Sequence, residues 1–125
     1  MEIDHIILPV NDADASVAFY RDVIGCSYEG LDGPFSVVRV SPTFTLQLAP
    51  WGTEGNMHVA LAMPSSDFED AFARIRAAGI EYGDSFHAVG NMQGPGDESG
   101  ARGPGKAVYC FDPSHHLVEI RHYGD

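Results

Sequence analysis

The chain repeats itself, and this internal repeat limits the folds that it can adopt. When the sequence is shifted by 53 residues, His5 overlays His58, Phe19 overlays Phe72 and Arg21 overlays Arg74. In each copy a short apolar run comes first and an amphipathic helix pattern follows it. The two runs are His5-Ile6-Ile7-Leu8 and His58-Val59-Ala60-Leu61. The sequence therefore predicts two modules of the same architecture.

Both helix patterns have recognisable ends. Asn11-Asp12 or Asp14 is expected to cap the first helix, and Gly25 is expected to end it. The apolar stripe of this helix consists of Val17, Tyr20, Val23 and Ile24. The segment Ser65-Ser66-Asp67 is expected to cap the second helix, which Gly79 ends. Its stripe consists of Phe68, Ala71, Phe72, Ile75 and Ala78.

Three strand patterns follow each helix. After the first helix they are 26–30, 35–40 and 43–49, and after the second they are 80–88, 107–111 and 116–123. Gln47 and Glu119 occupy matching places in the last strands at an offset of 72 residues, so the second copy carries an insertion of 19 residues near Gly90–Gly105. The pattern predicts an α+β fold of two βαβββ modules with open, curved mixed sheets. We expect a single domain, 1–125, with module one at about 1–52 and module two at about 53–125.

Charge and composition narrow the range of partners. The formal net charge is −11, which disfavours nucleic acid and anionic membranes as partners because phosphate groups are repelled. No apolar run approaches the ~20 residues that span a bilayer. The acidic start Met1-Glu2-Ile3-Asp4 does not resemble a signal peptide, and neither Cys26 nor Cys110 belongs to a CxxC motif. We therefore expect a cytoplasmic protein with reduced cysteines.

Four polar residues interrupt the apolar strand patterns at equivalent places in the repeat. His5 and His58 begin the first strand of each copy, and Gln47 and Glu119 lie within the last strands. A carboxylate between Val118 and Ile120 is costly unless it is paired or bound to a metal. Two neutral imidazoles and a carboxylate suit a divalent metal with open coordination positions. The sequence therefore predicts a metalloenzyme with His5, His58 and Glu119 as ligands.

Further side chains are weaker candidates for substrate contacts. Side chains alternate along a strand, so Leu117, Glu119 and Arg121 share one face of the last strand pattern. Arg39 and Tyr109 lie in strands of undecided orientation, and Arg102 and Lys106 lie in or beside the glycine-rich insertion. We expect the insertion to form a mobile loop, in which Arg102 or Lys106 meets an anionic substrate. His115, His116 and His122 are expected to be exposed and not to bind metal.

Three motifs resemble those of the vicinal oxygen chelate superfamily, which includes glyoxalase I, fosfomycin and bleomycin resistance proteins, and type I extradiol dioxygenases. They are Asp4-His5-Ile6, the helix segment Ser16–Gly25, and Asp112–Ile120 near the end. The resemblance covers nearly the whole chain. One departure is His115, which stands where the family usually has a glycine that favours positive φ. Histidine tolerates that conformation better than most residues do.

The resemblance implies a cup of two βαβββ modules around a divalent metal, which would be Ni, Zn, Mn, Co or Fe. It maps the metal positions onto His5, Gln47, His58 and Glu119, with Gln47 as a fourth ligand or a hydrogen-bonding group behind the ligands. The expected activity is glyoxalase-like lyase, isomerase or resistance-type transferase chemistry on a small oxygen-bearing substrate, with Glu119 as the catalytic base. Two alternatives are an Fe(II) extradiol-type dioxygenase and a non-catalytic drug- or metabolite-binding protein of bleomycin-resistance type. The family also implies a homodimer.

Overall fold

The computed structural model describes residues 1–125, which form two compact units. Unit 1 comprises Met1–Asn56 together with Pro113–His115, and unit 2 comprises Met57–Asp112 together with His116–Asp125. Each unit contains one sheet with parallel and antiparallel neighbours. The predicted α+β class with two curved mixed sheets is confirmed. The assignment of both modules to a single domain stays a proposal.

Unit 1 follows the predicted order of one strand, one helix and three strands. Its elements are β1 (His5–Pro9), α1 (Ala13–Ala18), a π-helical segment (Phe19–Ile24), β2 (Ser27–Asp32), β3 (Phe35–Ser41) and β4 (Phe44–Ala49). The strand order is β1-β4-β3-β2. The outer strand β1 runs parallel to β4, and the other pairs are antiparallel.

The first helix begins and ends where the sequence predicts. The Asp12 side chain accepts a hydrogen bond of 3.0 Å from the amide of Ala15, and Gly25 adopts φ 104° at the other end. The last six residues are π-helical, because the amide of Gly25 donates to the carbonyl of Tyr20, five residues earlier. The apolar stripe does not distinguish this wider turn from an α-helical one. Val17, Tyr20 and Ile24 are nevertheless buried.

Unit 2 contains the second copy of the repeat and one additional strand. Its elements are β5 (His58–Ala62), α2 (Ser65–Ala77), β6 (Tyr82–Gly83), β7 (Gly96–Gly100), β8 (Gly103–Phe111) and β9 (Leu117–His122). The strand order is β5-β9-β8-β6, and β7 also pairs with β8. The outer strand β5 runs parallel to β9, as β1 does to β4.

Three predictions about the helix, strand and loop bounds of unit 2 are wrong. The segment Ser65-Ser66-Asp67 does not cap α2; the cap position is Pro64, which has no side-chain hydrogen bond. The predicted strand 80–88 is reduced to Tyr82–Gly83, because the chain turns there and the amides of Gly90 and Met92 both donate to the carbonyl of Tyr82. The glycine-rich insertion is not a loop throughout, since its second half pairs as the β7–β8 hairpin.

The histidines near the end of the chain occupy different environments. His115 adopts φ 67°, so this position retains the left-handed backbone although it carries no glycine. His116 is fully buried, and its Nδ1 accepts a hydrogen bond of 3.2 Å from the amide of Met57. The prediction of an exposed His116 is therefore wrong. The His122 ring packs edge-on against Phe68, with the ring centroids 4.8 Å apart.

The core of unit 2 lies between α2 and one face of its sheet. Phe68 and Ile75 of α2 are fully buried, as is Val118 of β9, and Ile120 is 1% exposed. The opposite face of β5, β9 and β8 is not covered by this helix and carries the polar residues described below. Both cysteines are free, and burial raises the pKa of the Cys26 thiol to about 11 and that of Cys110 to about 12. No helix of the chain is long and apolar enough to cross a bilayer.

Candidate metal centre

The strand register of unit 2 places four chemically active side chains on one face of its sheet. Glu119 lies opposite Ala60 of β5 on one side and opposite Tyr109 of β8 on the other. His58 is two residues before Ala60, and Arg121 is two residues after Glu119. Because side chains alternate along a strand, His58, Tyr109, Glu119 and Arg121 share this face.

Glu119 is the centre of this group. The residue is 5% exposed, so its charge needs partners. His58 Nε2 lies 3.0 Å from Oε1, and Arg121 Nη1 donates a hydrogen bond of 2.7 Å to Oε2. Each carboxylate oxygen therefore has its own partner, and Oε1 faces the half-exposed His58 ring.

Arg121 belongs to this group, although sequence reasoning assigned it no role at the site. It is 3% exposed, and its Nη2 donates a hydrogen bond of 2.9 Å to the carbonyl oxygen of Glu98 in β7. The guanidinium carbon lies 4.6 Å from the centre of the Tyr123 ring. The signal in the sequence was an arginine two residues after a glutamate in an apolar strand, a spacing that puts both side chains on one face.

Tyr109 completes the surroundings of the carboxylate. Its ring is 4% exposed and lies edge-on to His58, with the centroids 6.0 Å apart. Burial, the negative charges of Glu119 and Glu98, and a hydrogen bond to Glu119 together raise the pKa of the Tyr109 phenol to about 12. At neutral pH the phenol is therefore protonated and acts as a hydrogen-bond donor.

Unit 1 presents His5 and Gln47 in the register that unit 2 uses for His58 and Glu119. His5 lies opposite Thr45 and Ile7 lies opposite Gln47, so Gln47 is two residues beyond the partner of His5 on the same face. His58 lies opposite Leu117, and Glu119 is two residues beyond it. The repeat is thus preserved at the level of strand pairing.

The neighbour of His5 also matters for metal binding. Asp4 Oδ2 lies 2.7 Å from His5 Nδ1. Histidines that bind metals commonly donate their second ring N–H to a carboxylate, which fixes the tautomer and leaves the other nitrogen to the metal. Asp4 is such a carboxylate, so His5 Nε2 is the nitrogen available as a ligand.

The weaker substrate candidates have other partners. Arg39 shares the face of Gln47, but its Nε donates to Glu29 at 2.8 Å and its Nη1 donates to the carbonyls of Ser41 and Pro42. Arg102 lies over the Tyr123 ring at 4.2 Å and 3.5 Å from an oxygen of Asp125. Lys106 pairs with Asp97 and lies opposite His122 in the register, on the face that points away from Glu119. Their roles as substrate contacts remain predictions.

The geometry of the pair formed by His58 and Glu119 fits a metal, although the chain does not gather a complete ligand set. No group of three or more His, Cys, Asp or Glu side chains lies close enough together to hold a metal ion. Two ligands bound at ~2.1 Å lie about 3.0 Å apart at right angles, as in an octahedral site, and about 3.4 Å apart in a tetrahedral site. The separation of 3.0 Å between His58 Nε2 and Glu119 Oε1 is a hydrogen-bond distance that also equals the octahedral value. The hydrogen bond from Arg121 to Oε2 is of the kind that carboxylate ligands of metals commonly accept.

Comparison with known proteins places this arrangement in a family. The virulence protein STM3117 of Salmonella typhimurium is 27% identical over 97% of this chain and 83% of its own length. The solved structure of the oxidase ChaP-H1 is 28% identical, covers 98% of this chain and 95% of its own, and superposes with a TM-score of 0.80. A glyoxalase/dioxygenase from Nostoc punctiforme, 20% identical, shares the fold over 99% of this chain and 92% of its own with a TM-score of 0.74.

The family model covers almost the entire chain. Residues 2–120 match the model of the Glyoxalase/Bleomycin resistance protein/Dioxygenase superfamily. The match includes His5, Gln47, His58 and Glu119, the four positions that the repeat makes equivalent in pairs. The predicted resemblance is confirmed, and this chain belongs to the Glyoxalase/Bleomycin resistance protein/Dioxygenase superfamily.

Proposed function

We propose that this protein is a divalent-metal-dependent enzyme that binds a small substrate through its oxygen atoms. His58 and Glu119 would be two ligands of the metal, and His5 would be the third. Gln47 would be a fourth ligand or would hydrogen-bond a ligand or the substrate. The observation that carries the proposal is the 3.0 Å contact between His58 Nε2 and Glu119 Oε1, in the register that His5 and Gln47 repeat.

Asp4 and Arg121 would orient two of these ligands towards the metal. The bound metal would supply Lewis-acid stabilisation of negative charge on the substrate oxygens. Asp4 holds Nδ1 of His5, and Arg121 holds Oε2 of Glu119. The atoms that would bind the metal are therefore Nε2 of His5 and Oε1 of Glu119, the second of which contacts His58 Nε2 in the metal-free protein. Arg121 occupies Oε2 of Glu119, so Oε1 would take a proton from the substrate only after it leaves the metal. The protonated Tyr109 phenol donates a hydrogen bond to the same carboxylate.

A second candidate function is oxygen-dependent chemistry with Fe(II). Two histidines and one carboxylate form the ligand set of many non-haem iron oxygenases. The similarity to a protein named as an oxidase, at 28% identity over 98% of this chain, favours this candidate. Under this proposal the substrate would be a catechol-like aromatic compound, and iron held by His5, His58 and Glu119 would supply the oxygen chemistry. Assembly as a homodimer is a separate proposal that either function accommodates.

Substitutions of Gln47 test whether its amide contributes to the metal site. Gln47→Ala is expected to reduce metal affinity by about 10-fold to 100-fold if its amide binds the metal or supports a ligand, and to leave it unchanged otherwise. Gln47→Glu offers a carboxylate at the same place and is expected to bind metal more tightly. Calorimetric titration of the metal-free protein with Ni(II), Zn(II), Mn(II) and Co(II) measures both effects, with Thr43→Ala as a control near β4.

The activity test uses wild-type protein loaded with each of these metals or with Fe(II). Isomerisation or lyase activity towards α-hydroxycarbonyl adducts of thiols would support the glyoxalase-like proposal. Oxygen uptake with catechols that requires Fe(II) would support the second candidate. Wild-type protein that binds a drug or metabolite without turnover in any metal form, and binds it equally well without metal, would contradict both in favour of a binding protein.

A further inference from the structure

Arg121 connects the Glu119 carboxylate to the backbone of the β7–β8 hairpin. Its Nη1 donates to Oε2 of Glu119 at 2.7 Å, and its Nη2 donates to the carbonyl oxygen of Glu98 at 2.9 Å. Both hydrogen bonds use the same planar guanidinium group, which has a rigid shape. A fixed position of the hairpin therefore fixes the position of Oε2.

Small residues along the hairpin make room for this contact. Ala107 lies opposite Arg121 in the register, and Gly105 follows on the same face two residues away. A Cβ atom on Gly105 would lie 2.9 Å from Nη2 of Arg121, and one on Gly100 would lie 2.7 Å from Nε. The Cβ on Gly100 would also contact the guanidinium carbon and the hydroxyl of Tyr123. Glycine at these positions therefore leaves the space that the guanidinium group occupies.

The third nitrogen of the Arg121 guanidinium group, Nε, shows how closely this group is enclosed. The Nε atom of Arg121 is buried and has no hydrogen-bond partner. A buried donor without a partner destabilises the folded state. The other two nitrogens nevertheless donate directional hydrogen bonds, and the guanidinium carbon lies 4.6 Å from the centre of the Tyr123 ring. These contacts hold the Arg121 side chain in one position, which a flexible ion pair would not do.

We propose that Arg121 is a positioning residue, held by the β7–β8 hairpin, which fixes Oε2 of Glu119 so that Oε1 is presented beside His58 as a metal ligand. The inference rests on the proposed metal-binding function and extends it to the hairpin. Without the guanidinium group, Oε2 of Glu119 loses the hydrogen bond from Arg121, so the carboxylate rotates more freely about its terminal bond. Metal affinity then falls because the ligand must be ordered when the metal binds.

The test measures Co(II) binding by four variants of the full chain, by calorimetry and by the visible spectrum of the bound ion. Arg121→Met is expected to weaken binding about 10-fold to 100-fold, and Arg121→Lys is expected to recover part of the loss. Gly100→Ala retains every charge but displaces the guanidinium, and it is expected to weaken binding several-fold and to shift the Co(II) absorption bands. Arg76→Met removes an arginine that stacks on Phe72 at 4.0 Å, and its affinity should equal that of wild type.

A double-variant cycle separates positioning from a general loss of stability. In the Arg121→Met background, Gly100→Ala has no guanidinium left to displace, so it should not weaken Co(II) binding further. Equal effects of Gly100→Ala in both backgrounds would overturn the inference. So would wild-type affinity and spectrum in Gly100→Ala and Arg121→Lys. If wild-type protein binds no Co(II), Ni(II), Zn(II), Mn(II) or Fe(II), the proposed function fails and the inference fails with it.

Discussion

Glu119→Ala is expected to lower the free energy of unfolding of the metal-free protein by about 3–5 kcal/mol, which is the usual cost of removing one partner of a buried ion pair. The Glu119 and Arg121 side chains are only 6% and 4% exposed, and their contact is 2.7 Å. Removal of the carboxylate leaves the guanidinium buried with a carbonyl oxygen and an aromatic ring as its remaining partners. The loss arises from this unpaired charge, so it does not require the metal.

Chemical denaturation in the presence of a chelator measures this effect. Glu98→Ala is a matched control, because it removes a nearby acidic side chain but retains the backbone carbonyl that accepts from Arg121. It should cost less than Glu119→Ala, because the partly buried Glu98 contributes only its backbone carbonyl to the hydrogen bonds of Arg121. The double variant Glu119→Leu/Arg121→Met is expected to recover most of the loss, since apolar replacements of a buried pair are often tolerated. A cost below about 1 kcal/mol for Glu119→Ala would contradict the assignment of a buried, paired carboxylate.

Phe68→Ala is expected to cost about 3–5 kcal/mol as well, through a different mechanism. Phe68 is fully buried on α2, where its ring lies 6.2 Å from that of Phe72 and 4.8 Å from that of His122. His122 belongs to β9, so this ring is part of the packing that holds the helix against the back of the strand that carries Glu119. Truncation leaves a cavity that neighbouring side chains fill only in part.

Phe86→Ala provides the comparison for this second prediction. Phe86 is 59% exposed and contacts the ring of His87, with the centroids 4.9 Å apart. Its truncation should change the free energy of unfolding by about 0.5 kcal/mol or less, as surface substitutions usually do. Similar losses for Phe68→Ala and Phe86→Ala would mean that α2 does not pack against the sheet as described.

The parts of the fold that depend on local periodicity could be predicted from the sequence. The apolar stripes located both helices, and Gly25 ends the first in the left-handed conformation, as expected. The repeat placed His5 and His58 in the first strands of the two copies and Gln47 and Glu119 in the last strands, and the observed register is the same in both units. These features follow from residues that are near in sequence or related by the repeat.

The hairpin and its arginine could not be predicted in this way. The segment Gly90–Gly105 has neither apolar alternation nor a helical stripe, so its composition indicated a loop. Its pairing depends on glycines that permit close approach of Arg121, a contact across three strands that no local pattern records. The segment 80–88 gave the opposite error, since apolar and aromatic residues there suggested a strand although only Tyr82–Gly83 pairs.

The most direct test of the central claim is the metal content of protein purified without chelators, compared with that of His58→Ala and His5→Ala. We expect about one divalent ion per wild-type chain, and no stoichiometric metal in either variant, because each loses a ligand. Re-addition of the metal at 1,000 times its dissociation constant should stabilise wild-type protein by about 4 kcal/mol and should not stabilise the variants. Wild-type protein without stoichiometric metal, and with no rise in Tm on addition of Ni(II), Zn(II), Mn(II), Co(II) or Fe(II), would contradict the proposed metal centre.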